Sequence, residues 1–158
     1  MSRDRRGPSR LWLVLPLLLA AVVVAGWCGW WFVGRSRIEA AIDQAAQAHQ
    51  AEGRALAWER RTVGGFPFRY AIRFEGLRFA SPSGWAVEAR RAEVQANAYQ
   101  LTRWVAVAPE GLTLVRPEAG PVEIKGREIR ASLTGVDQPI PRFALEGVNL
   151  TFTPRAGA

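Results

Sequence analysis

The chain has 158 residues, 49% of them hydrophobic, with a net charge of +7, one cysteine and one histidine. Cys28 alone can neither close a disulfide within the chain nor build a thiolate zinc site, and His49 alone excludes a histidine-rich metal cluster. Arg3, Arg5, Arg6 and Arg10 supply four of the 21 basic residues, leaving 17 basic against 13 acidic after Val33, too mild and too scattered for a nucleic-acid surface and closer to what an anionic lipid headgroup attracts.

Residues 1–10 read as a basic cytoplasmic tail. From Leu11 to Val33 no charge occurs, and at 1.5 Å per residue this stretch spans about 35 Å of helix, enough to cross a hydrocarbon core of about 30 Å. Arg35 and Arg37 follow but are soon offset by Glu39 and Asp43, so the charge bias places the N-terminus in the cytoplasm and the remainder outside. Trp27, Trp30, Trp31 and Phe32 form an aromatic belt at the far end, with Trp12 at the near end. A cleavable signal peptide is the rival reading, with Leu11 to Val24 as its apolar region and Val23 and Ala25 as small residues before the cut. Either way, residues from about Ser36 onward are exported. Pro16, early in the helix, predicts a mild kink. Ala21, Ala25 and Gly29 fall four apart, a small-residue stripe that admits a second helix, from a homodimer or another envelope protein; the plainer reading is that alanine and glycine are common in membrane helices.

Ser36-Arg37-Ile38-Glu39 has the form of a capping box and predicts a separate amphipathic helix over 36–52, with Gly53 as its C-terminal cap. Ile38, Ala41, Ile42, Ala45 and His49 make one narrow face, suited to lying on a sheet. His49 is expected there as a satisfied edge residue, not a ligand.

From residue 54 to 158 the period becomes two. Leu56 and Trp58 precede a Gly64-Gly65 turn, after which Phe68, Tyr70, Ile72 and Phe74 alternate with Arg69, Ala71, Arg73 and Glu75, predicting a hairpin with one apolar and one charged face. Pro67 cannot donate to a ladder, so the second strand should begin at Phe68. Glu-Gly-apolar-x-apolar then recurs at Glu75, Glu110 and Glu146, each followed by a proline (Pro82, Pro117, Pro154) and a glycine (Gly84, Gly120, Gly157). This predicts about three related β-meander units, with the glutamates at turns or bulges. The fold class is therefore α+β: one membrane helix, one short amphipathic helix and a long twisted antiparallel sheet forming one exported domain.

Gly64 to Arg69, Glu75 to Trp85, Ile129 to Leu133 and Pro141-Arg142-Phe143 resemble the family called domain of unknown function 2125. More loosely, the glycine-led strands resemble the AsmA-like group of envelope proteins. These resemblances imply a periplasmic protein anchored in a bacterial inner membrane, and the looser one implies a lipid-contacting β-groove. Members of the first family are generally longer, and both readings of this chain, a full member or a half, stay open.

No Gly-x-Ser-x-Gly elbow, Walker motif or dinucleotide fingerprint occurs, so no catalytic residue and no cofactor are expected. Phe68, Tyr70, Ile72, Phe74 and Trp85 are the candidate lipid-contacting face, or else core beneath the amphipathic helix. A scaffold acting through strand edges and the Ala21-Ala25-Gly29 stripe is the alternative.

Overall fold

The computed structural model describes residues 10–155, with side chains from Val14 onward. The basic tail with Arg3, Arg5 and Arg6, the side chain of Trp12, and Gly157 of the third repeat lie outside the described residues.

One helix, α1, runs unbroken from Arg10 to Ala51, with Pro16 inside it. It is long and apolar enough to cross a membrane. The separate helix expected to start at Ser36 does not exist. The Ser36 hydroxyl donates back to the Val33 carbonyl at 3.0 Å, and Glu39 takes Arg35 Nε at 2.9 Å rather than a backbone amide. A capping box caps only where the preceding residue leaves helical geometry, and nothing between Val33 and Arg37 forces that. The C-terminus does close at Gly53. Its amide donates to Gln50 (3.1 Å) and the Arg54 amide to His49 (2.9 Å), the two bonds of a Schellman cap.

The remainder of the described residues forms a single sheet of ten strands, every pair antiparallel. In chain order they are β1 (Ala55–Ala57), β2 (Arg60–Gly64), β3 (Arg69–Ala80), β4 (Ala86–Asn97) and β5 (Gln100–Val107). Then come β6 (Leu112–Arg116), β7 (Gly120–Lys125), β8 (Glu128–Thr134), β9 (Arg142–Val148) and β10 (Thr151–Pro154). The registers reduce these ten to six long runs. β1 and β2 pair with β3 in one continuous register, as Ala57↔Arg78 and Arg60↔Glu75 show. β10 and β9 likewise pair with β7 and β8 in one register, Thr151↔Lys125 and Val148↔Glu128. β5 and β6 lie end to end against β4, at Val107↔Glu93 and Thr113↔Glu88, with one extra residue between them. The molecule is thus a simple meander whose hairpins are β1β2–β3, β4–β5β6 and β7β8–β9β10.

This explains the repeat. Glu75 and Glu110 recur because each sits on the second run of a hairpin, where the run creases. The left-handed residues there are Gly76 (φ 62°) and Gly111 (φ 82°), a conformation that glycine adopts without a Cβ penalty. The third unit departs from the expectation: Gly147 is regular strand within β9, and the crease falls at Asn149 (φ 53°).

The crease switches which parity of residue faces α1. Ahead of it Tyr70, Ile72 and Phe74 point inward; beyond it Leu77 packs on the same core and Phe79 meets His49 on α1. Val63, Ile72, Phe74, Ala89 and Ala92 form that core, closed by Ile38 and Ile42 of the helix. Alanines on β4 let the helix approach closely where larger residues would hold it off.

Candidate functional site

The helix and sheet are joined where the aromatic belt stands. Trp27 Nε1–H donates to the Pro67 carbonyl (3.0 Å) and Trp31 Nε1–H to the Arg69 carbonyl (3.1 Å), while the Tyr70 hydroxyl donates to the Trp31 carbonyl (3.2 Å). Phe66 sits edge-on to Trp31, with ring centroids 5.4 Å apart. Farther up, Arg61 forms a two-pronged pair with Asp43 (2.7 and 3.1 Å) that holds the Asp43 carboxyl below its ordinary range.

The five aromatic and aliphatic residues singled out from the sequence do not form one surface. Tyr70, Ile72 and Phe74 are buried beneath α1. Phe68 is 66% exposed in the hairpin loop ahead of β3, which begins one residue later than expected, and Trp85 is 45% exposed in the turn before β4, at the opposite end of the sheet. Ala21, Ala25 and Gly29 lie together on an exposed face of α1, and a Cβ added at Gly29 would meet nothing within 4 Å.

The apolar surface that is exposed lies elsewhere. Trp104 and Val94 pack on the core beneath the helix, and the registers carry that same face outward from them: Ala106 pairs with Val94 and Ala131, Trp104 with Leu133, and then Leu145 with Ala131 and Phe143 with Leu133. Phe143 (67% exposed) and Leu145 (69%) therefore face the helix side but lie beyond its reach. Beyond the crease Phe152 continues the strip, through Ile124 and Leu112. Phe143 and Leu145 alternate with Arg142, Ala144 and Glu146 as in a strand, but that alternation does not say which strands the helix covers.

The outer face carries charges instead. A trough of about 790 Å³ follows the crease, where Arg78 pairs with Glu88 (3.4 Å), Arg91 with Glu110 (3.5 Å) and Arg155 with Glu123 (3.2 Å). Glu123 is held below the usual carboxylate range by its bond from Lys125 and the nearby Arg155. A carboxylate so stabilised is a structural ion-pair partner and a poor proton acceptor. Among the described residues no group of three His, Cys, Asp or Glu could hold a metal ion. His49 is not the satisfied edge residue anticipated: its Nδ1 is buried without a hydrogen-bond partner, and its ring stands across that of Phe79 at 83°, 5.7 Å between centroids.

The profile of DUF2125, described as an uncharacterized protein conserved in bacteria, matches residues 31–158, and the chain belongs to that family. The match begins at Trp31, which bonds to Arg69 of β3. No curated protein and no solved structure matches.

Proposed function

We propose that this DUF2125 protein is a membrane-anchored envelope protein that seats lipid acyl chains on the bare strip of its sheet. The sheet stands on the periplasmic side of an inner membrane and the N-terminus in the cytoplasm, the orientation that the flanking arginines favour. One observation carries the reading: Phe143 and Leu145 extend the core face past the helix and remain uncovered, on a sheet that α1 holds beside a bilayer. The looser resemblance to AsmA-like proteins points the same way. Native mass spectrometry of the detergent-extracted chain, followed by lipid extraction, tests it. Lipid at fixed stoichiometry that is lost in Leu145→Arg supports the reading, and an empty protein ends it.

A second reading has its own observation. β9 and β10 form a free edge with Phe143, Leu145, Val148, Leu150 and Phe152 all exposed, which suits strand addition by another envelope protein or a second copy. Crosslinking from Ala144 that recovers a second polypeptide, together with absence of bound lipid, would favour that scaffold role.

A further inference from the structure

We infer that the hairpin tips at the Trp31 end of the sheet enter the surface of the bilayer that α1 crosses, with Arg69 and Arg103 placed for anionic headgroups. This rests on α1 crossing a membrane and does not need the Phe143–Leu145 strip to bind lipid.

Depth is the first ground. The tip at Phe66-Pro67 is bonded to Trp27, which lies eight residues before Arg35, the first charge after the apolar segment. At 1.5 Å per residue that is about 12 Å below the charge that marks the water boundary. A loop tied there cannot stand in bulk water while the apolar helix beside it stands in lipid.

The second ground is the difference between the two ends. Three connections of the meander turn at this end, and each carries exposed apolar side chains: Phe66 and Phe68 in the first, Tyr99 in the second, Val136 and Ile140 in the third. The two turns at the far end, Ser81 to Trp85 and Pro117 to Ala119, carry only Trp85. Loops are ordinarily polar because water must serve their backbone, so three apolar tips on one rim need an apolar phase to face.

The third ground is that the deepest loop is prepared for poor solvation. Pro67 has no N–H, its carbonyl takes Trp27, the Gly65 carbonyl takes the Arg69 amide (3.1 Å) and the Phe68 carbonyl takes the Ala98 amide (2.8 Å). Three of the loop's four carbonyls are thus paired, which lowers the cost of holding irregular backbone at membrane depth.

Immediately above this rim, on the outer face, Arg69 and Arg103 line a hollow of about 440 Å³ with Gln95, Asn97, Gln100 and Arg130. Among the described residues neither Arg69 nor Arg103 has a carboxylate within 4 Å, unlike Arg73 and Arg78 farther up the same face. Unpaired guanidinium groups above an apolar rim are the arrangement that an anionic bilayer surface recognises.

The test uses the full chain, with Cys28→Ser, in phosphatidylcholine vesicles with and without phosphatidylglycerol. An environment-sensitive fluorophore is placed on single cysteines at Tyr99, Ile140 or Ser83. Labels at 99 and 140 should be quenched by nitroxide-bearing lipids and shielded from aqueous iodide, and the label at 83 should show the reverse. Phosphatidylglycerol should deepen the first two, and Arg69→Gln with Arg103→Gln should shift that equilibrium back by about fivefold per arginine. Iodide access at 99 and 140 equal to that at 83 overturns the inference, as does shielding from both quenchers, which would mean a protein cover. A phosphatidylglycerol response unchanged by the two substitutions overturns the role of the arginines.

Discussion

Trp31 and Tyr70 hold each other twice: their rings stack 5.3 Å apart at 17°, and the Tyr70 hydroxyl donates to the Trp31 carbonyl at 3.2 Å. Both are buried, Tyr70 completely, although Trp31 belongs to the belt at the end of the membrane segment and Tyr70 to the first long strand. This contact fixes where the sheet sits along α1. The inferences about lipid therefore depend on it.

Gly34 lies directly over this pair, and a Cβ there would overlap the Tyr70 hydroxyl and come within 2.9 Å of its ring. Gly34→Ala is expected to destabilise the domain by about 1–3 kcal/mol through overpacking, despite the better helix propensity of alanine. Tyr70→Phe should cost about 1 kcal/mol for the lost hydrogen bond. In the double variant the two costs should fall short of their sum, since removing the hydroxyl relieves part of the overlap. Denaturant titration of the four proteins in one detergent measures this, and simple additivity would mean that the helix moves instead.

Asp43 and Arg61 give the helix–sheet seam a pH dependence. Because pairing lowers the folded carboxyl below its ordinary 3.8, the pair contributes stability above that value and loses it as pH falls through the lowered one. Asp43→Asn should melt below the parent at neutral pH, and the two melting temperatures should converge in acid. A constant gap down to the acid limb would rule the titration out.

His49 presents an unpartnered ring nitrogen to the seam. His49→Phe keeps an aromatic edge for Phe79 and removes the unpaired atom, so stability should hold or rise by about 1 kcal/mol. A loss beyond that size in a thermal melt would show that the nitrogen has a partner in solution.

Leu145 is exposed, so Leu145→Arg should leave folding stability within about 0.5 kcal/mol while removing any co-purifying lipid. Ile72→Ala, four strand pairings away beneath the helix, should instead cost about 2–5 kcal/mol. Equal effects of the two on lipid and on stability would place Leu145 in the core.

The apolar span from Leu11 to Val33, the alternation from Phe68 to Phe74 and the Glu-Gly recurrence at 75 and 110 were legible because each is a local periodicity, and periodicity fixes element type and the parity of a face. The cap at Gly53 was legible for the same reason. Ser36 misled because a capping box describes only a possible start, and nothing between Val33 and Arg37 forces the chain out of helical geometry. Likewise, alternation shows that Tyr70 and Leu145 each lie on an apolar face, but it does not say that α1 covers the first and leaves the second bare. That choice is set by where Trp27, Trp31, Ile38 and Asp43 reach the sheet, and contacts across some 20 to 40 residues of chain leave no local pattern in the sequence. The sequence by itself determined a long apolar helix able to cross a membrane and a meander of long strands; only the tertiary structure decided which half of that meander α1 covers and which rim stands beside its apolar segment, because both depend on contacts between residues far apart in the chain.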